Sequence, residues 1–147
     1  MYEKILLTTD GSEGAEAAVA HAEDLAKKYG AELHILFVLD IGVDTSIGAV
    51  SDLMGELEEA GRLTELGQEA VDSIEKELDP EVDAVTHVAR GVPHKEITGY
   101  ADENDIDLIV MSSRGRTGLD RVLLGSVTEK VLRSSDIPVL TVKREGI

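Results

Sequence analysis

The sequence predicts an α/β fold: a doubly wound sheet of five parallel strands, order 3-2-1-4-5, with helices on both faces. Three observations predict it. Short apolar runs bounded by turn residues alternate with segments whose apolar residues recur every three or four positions, giving β-α-β-α-β-α-β-α-β. The runs Ile35 to Leu39 and Leu108 to Met111 are apolar at every position, as strands covered on both faces must be. Right-handed crossovers then leave few possible strand orders. A chain of 147 residues has the length of one domain, expected to span 1–147.

Lys4 to Thr9 forms the first strand and ends at Asp10-Gly11-Ser12, residues that suit a turn and a helix cap. From Ser12 to Tyr29 the pattern is helical, with Ala15, Val19, Ala22, Leu25 and Ala26 recurring on one face and Gly30 as the C-cap. Residues 32–39 make the second strand, and residues 40–51, rich in Gly, Ser, Asp and Thr, make a loop. A long helix from Asp52 to Leu78 carries Leu53, Leu57, Ala60, Leu63, Leu66, Ala70 and Ile74 on one face. Gly55, Gly61 and Gly67 weaken it, Asp79-Pro80 ends it, and its acidic outer face is a solvated one. Val82 to Ala89 is the third strand. Gly91-Val92-Pro93 opens a helix running to about Asn104, with Pro93 in its first turn. Asp107 to Ser112 is the fourth strand, Ser126 to Ser134 the last helix, and Ile137 to Val142 a final strand broken early by Pro138.

Composition excludes several function classes. There is no cysteine, so disulfides, thiolate metal sites and thiol catalysis are all absent. No window approaches the roughly 18 apolar residues of a membrane span. The N-terminus, Met-Tyr-Glu-Lys followed by a strand, lacks the shape of a signal peptide, so a cytoplasmic protein is expected. The net charge of -16 argues against binding to nucleic acid. Thirty acidic residues against 14 basic ones also suit a halophilic, high-salt cytoplasm, where counterions screen self-repulsion.

One stretch runs against this acidity. Residues 111–133 hold Arg114, Arg116, Arg121, Lys130 and Arg133 against Asp120 and Glu129, five against two, a local charge of +3. The same stretch contains Gly115, Gly118 and Gly125, which let a ligand approach the backbone closely. It then feeds the N-terminus of a helix, whose free amides and dipole favour an anion. In the order 3-2-1-4-5 the strand sequence reverses between the first and fourth strands, and ligands bind at such a switch point. The loops there are Thr8 to Ser12 and Ser112 to Gly125.

Each candidate residue has a structural and a functional reading. Ser126 and Glu129 have capping-box spacing, so Ser126 can cap the helix while the first-turn amides meet a phosphate. Arg114 and Arg116 can bond phosphate oxygens or pair with the acidic surface. Asp10, with Glu13 three positions on, can cap a helix or accept hydrogen bonds from a ribose hydroxyl or a base. His21, His34, His87 and His94 have no metal-ligand spacing and read as surface or core histidines. No nucleophile with an evident base, no paired carboxylates and no Gly-Lys-Ser/Thr loop occur.

Three segments together resemble the universal stress protein family, nucleotide-binding type. These are Lys4-Ile-Leu-Leu-Thr-Thr-Asp-Gly-Ser12, Gly91-Val92-Pro93, and above all Ser112-x2-Gly115-x9-Gly125-Ser126. The last is similar to the family's ATP-binding pattern Gly-x2-Gly-x9-Gly-Ser/Thr, except that Ser112 stands for the first glycine. The resemblance covers essentially the whole chain and implies the adenine nucleotide alpha hydrolase-like form of the fold. It implies that Thr8, Thr9 and Asp10 line the adenosine side and that Val38 and Met111 lie near adenine. Ser112 and Gly115 would meet ribose and phosphate, with Arg114 beside them, and Gly125, Ser126, Val127 and Thr128 would hold the phosphates. The implied ligand is ATP, or AMP or ADP in its place, with Mg²⁺. The implied assembly is a homodimer joined along Ile137 to Val142, which would otherwise be an exposed apolar edge. The implied role is in stress response or signalling, through a protein partner and with no catalytic residue or resident metal site. Two other functions fit the same residues: a slow ATPase or phosphotransferase using Asp10 to orient water or metal, and an interaction module in which Ser112 abolishes nucleotide binding.

Overall fold

A computed structural model describes residues 1–9, 15–40, 50–113 and 125–143. Strands and helices alternate in the predicted order: β1 (Lys4–Thr9), α1 (Ala15–Tyr29), β2 (Glu32–Asp40), α2 (Val50–Glu77), β3 (Ala84–Gly91), α3 (Pro93–Glu103), β4 (Leu108–Ser112), α4 (Ser126–Ser134) and β5 (Val139–Val142). The sheet order is β3-β2-β1-β4-β5, and every neighbouring pair is parallel. Lys4 lies opposite Glu32, Ile5 opposite Leu108, and Ser112 opposite Val142. The expected fold class and strand order are therefore those of the molecule.

The period of two along each strand sends alternate side chains to two separate cores. Ile5 and Leu7 of β1 join Leu33, Ile35 and Val110 under Ala18, Ala22 and Ala26 of α1 and Val71 of α2. Leu6 joins Leu36, Ile109 and Met111 under Ile97 and Ala101 of α3 and Val131 of α4. Ile5, Leu6 and Leu7 are all 0% exposed. Burying each such side chain stabilises the fold by roughly 1.5–3 kcal/mol. With almost no aromatic residues, the interior is made of aliphatic side chains, as the composition requires.

Element ends are set by local hydrogen bonding. Gly30 adopts φ +64°, and the next amide, Ala31, bonds back to the Ala26 carbonyl at 2.9 Å, closing α1 as predicted. β3 starts at Ala84 rather than Val82, because the Val82 amide is spent on the Asp79 carbonyl in the turn after α2. It runs on to Gly91, whose φ of +149° disfavours other residues. β5 starts at Val139 rather than Ile137. Pro138 has no amide to donate, although its carbonyl accepts from the Ile109 amide at 3.0 Å. The start of α1 expected at Ser12 and most of the loop expected at 40–51 lie outside the described residues.

The face of α2 is the main departure. The predicted stripe places Leu66 inside, but Leu66 is 57% exposed. The buried line is instead Gly67, Val71, Ile74 and Leu78. Gly67 decides this: a Cβ there would stand 2.7 Å from Cδ1 of Phe37. The helix presses its glycine against that ring, so Gly67 takes the inward place expected of Leu66, while Ile74 keeps its own. Gly67 is thus a packing residue and not merely a weak point in the helix.

Candidate functional site

The reversal of strand order between β1 and β4 brings Thr8 and Thr9 beside Met111, Ser112 and Ser113 at the C-terminal end of the sheet. Thr8, Thr9, Met111 and Ser113 are buried. By alternation Thr8 shares the face of Leu6, on the α3 and α4 side, while Thr9 shares the face of Ile5 and Leu7. Val38 at the end of β2, Met111 at the end of β4 and Val127 in the first turn of α4 all belong to the apolar cluster under α3 and α4. Three candidate residues from separate elements are therefore brought together as one apolar shelf. Asp10, Arg114 and Gly115 lie outside the described residues.

The start of α4 is pinned to this end of the sheet. Gly125 is the N-cap, with φ -63° and ψ 153°. Its amide donates to the Ser113 carbonyl at 2.8 Å, and its own carbonyl accepts the Glu129 amide at 3.0 Å. Thr128 Oγ1 donates to the Ser112 carbonyl at 2.9 Å. The Ser113 amide in turn donates to the Val142 carbonyl at 2.9 Å, tying the assembly to β5. Ser126, Val127 and Thr128 occupy the first turn, where an amide has no acceptor within its own helix. The positive end of the helix dipole sits there too. Ser126 is exposed, Val127 half-buried and Thr128 only 3% exposed.

The structure corrects the capping box. Ser126 is the first helical residue and not the cap, because Gly125 already has the extended backbone of an N-cap. No side chain caps the helix, and Glu129 reaches forward to Arg133 at 2.6 Å instead of back to the helix start. The basic stretch is also redistributed. Arg133 stands in the last turn, paired with Glu129, and Lys130 is exposed on the same helix. Arg114, Arg116 and Arg121 lie outside the described residues.

Ser113 was no candidate from sequence, yet its carbonyl holds the α4 start while its amide is anchored on β5. Only its position between a strand and a glycine loop could have suggested this. A second cluster was also missed. At the opposite end of the sheet, His34 Nε2 lies 2.6 Å from Glu32 Oε1, and His34 Nδ1 lies 2.6 Å from the Tyr100 hydroxyl. Glu32 and His34, two apart on one strand, were the available signal. His34 is thus a satisfied core histidine. Among the described residues, no group of three or more His, Asp or Glu side chains could hold a metal ion.

Chemically, the site offers main-chain donors and a helix dipole next to an apolar shelf, an arrangement suited to a ligand with an anionic tail and a flat apolar body. The universal stress protein family model matches residues 1–143. The chain belongs to the universal stress protein family. It is 39% identical over 147 residues to universal stress protein MJ0531 of Methanocaldococcus jannaschii, covering 98% of this chain and 84% of that one. The solved structure of MJ0577, from the same organism, superposes with a TM-score of 0.86 at 38% identity, covering 100% of this chain and 99% of that one. The structure of a universal stress protein from Archaeoglobus fulgidus in complex with dAMP superposes with a TM-score of 0.63 at 25% identity, covering 97% and 98%. Among the described residues of this family member, no helix is long and apolar enough to cross a membrane.

Proposed function

We propose that this protein is an adenine-nucleotide-binding module of the stress response, taking ATP with Mg²⁺ at the switch point between β1 and β4. The observation that carries the reading is the α4 start, pinned by Gly125 and Thr128 beside the shelf of Val38, Met111 and Val127. The phosphates meet the first-turn amides of Ser126, Val127 and Thr128, with Gly125, whose own amide is held by Ser113, letting them approach the backbone, helped by Arg114 and Gly115. The base lies against Val38 and Met111. Thr8, Thr9 and Asp10 close the adenosine side, and Ser112 meets the ribose. The dAMP bound by the Archaeoglobus relative supports an adenine nucleotide as the ligand class. Two copies pair along β5, an edge of the sheet, and the dimer acts in the cytoplasm through a protein partner.

Thermal unfolding with and without millimolar ATP and Mg²⁺ tests the reading. A ligand at 100 times its dissociation constant adds about 2.7 kcal/mol of stability, which a melting curve resolves. An adenine nucleotide is also expected in mass spectra of the freshly purified protein. No shift and no co-purified nucleotide would leave the nucleotide-free interaction module in its place.

A further inference from the structure

We infer that Thr128 is a positioning residue for the phosphate tail, acting through the Ser112 carbonyl and not through a side-chain contact with the ligand. The inference rests on the nucleotide reading above and changes the role of one residue in it. Thr128 Oγ1 has a single proton, and at 2.9 Å from the Ser112 carbonyl oxygen that proton is committed. The residue is 3% exposed, so its hydroxyl faces the end of β4 and not open solvent.

The bond is one of two that return from α4 to consecutive carbonyls of the same strand end. Gly125 holds Ser113 through its amide, and Thr128 holds Ser112 through its side chain. The packing of Val127 and Val131 against the core holds the body of α4, and the N-cap bond holds its first residue. The second tie, three residues on and nearly one turn away, fixes the first turn itself against the end of β4. It thereby fixes where the amides of Ser126 and Val127 aim relative to Val38 and Met111 on the shelf. Main-chain donors reward an anion only when they are held in the correct geometry, and a displacement of an ångström forfeits much of the interaction. The hydroxyl of Thr128 therefore governs how strongly the site prefers a nucleotide with phosphates over the bare nucleoside.

The test is the ratio of ATP to adenosine affinity, measured by calorimetry on the full chain. Thr128→Val removes the hydroxyl at nearly constant volume and is expected to lower that ratio about tenfold, the equivalent of one hydrogen bond of about 1.4 kcal/mol. Adenosine affinity should stay within about twofold, since the shelf is untouched. Thr128→Ser keeps the hydroxyl and should retain the wild-type ratio, whereas Thr128→Ala should lose it. A Thr128→Val protein that keeps the wild-type ratio overturns the inference. If Thr128→Val does not fold, equal ratios in Thr128→Ser and Thr128→Ala overturn it, because the two differ only in the hydroxyl, which would then not be the determinant. A wild-type protein that binds ATP no better than adenosine removes the nucleotide reading itself, and this inference with it.

Discussion

His34 Nδ1 and the Tyr100 hydroxyl lie 2.6 Å apart, joining β2 to α3 far from the switch point. The opposite ring nitrogen faces the Glu32 carboxylate, which can only accept, so His34 donates from Nε2, and the Tyr100 hydroxyl is the partner of the buried Nδ1. Tyr100→Phe leaves that buried nitrogen without a partner and is expected to cost about 1–3 kcal/mol in denaturant unfolding.

The same pair predicts an alkaline dependence. Burial, and then the Glu32 charge, hold the Tyr100 phenol above its ordinary value of 10.0. The unfolded chain therefore releases this proton at lower pH than the folded chain. The stability this contributes is full below pH 10.0 and is lost as pH rises through the raised folded value. Unfolding free energy measured from pH 9 to 12 should fall less in Tyr100→Phe than in wild type.

Two glycines of α2 should respond oppositely to alanine. At Gly67 the new methyl meets the Phe37 ring at 2.7 Å, and overpacking of this kind costs about 1–3 kcal/mol. At Gly61 nothing lies within 4 Å, so the helix propensity of alanine acts alone and stabilises by about 0.5–1 kcal/mol. Chemical denaturation of both variants checks the contrast.

Gly125 has dihedrals open to any residue, so Gly125→Val should fold. Its side chain would stand at the phosphate end of the proposed site. The thermal shift given by ATP is expected to disappear while the melting temperature without ligand changes little. Restoring the family pattern with Ser112→Gly should tighten ATP binding or leave it unchanged.

The carbonyls of Pro138, just before β5, and of Val142 at its end are taken by the amides of Ile109 in β4 and of Ser113 just beyond it. Backbone groups alternate in direction along a strand, so the Thr141 amide points to the open edge. Thr141→Pro removes that donor without touching the ladder to β4. Sedimentation should give a species of about twice 15.8 kDa for wild type and the monomer for the variant.

With 30 acidic residues against 14 basic ones, the folded chain repels itself at low ionic strength. Screening shortens to about 3 Å at 1 M salt. The melting temperature should therefore climb steadily from dilute buffer to molar KCl. A flat dependence would argue against a halophilic surface.

Much of this was legible in the residues. The apolar runs at 35–39 and 108–111 and the punctuation at Gly30, Pro80 and Pro93 located the elements to within two residues, apart from the start of α1, which lies outside the described residues, because each is a local matter of backbone freedom or hydrogen-bond supply. The spacing Ser112-x2-Gly115-x9-Gly125-Ser126 pointed to the proposed site through its likeness to the family's pattern, and Gly115 lies outside the described residues. What was misread depended on a partner distant in sequence. Leu66 looked like core until Phe37 was seen to need a glycine at 67. Glu129 looked like half of a capping box until Arg133 was seen to hold it.

The sequence by itself determined the alternation of elements and the parallel order of the strands. These follow from periodicity, from chirality and from the chemistry of glycine and proline, all of which act over short stretches of chain. Only the tertiary structure decided which face of α2 is buried, that the Thr128 hydroxyl serves the Ser112 carbonyl, and that His34 is shared between Glu32 and Tyr100. Those outcomes turn on which surfaces meet, and a side chain's partner is chosen by the groups packed against it, not by its neighbours along the chain.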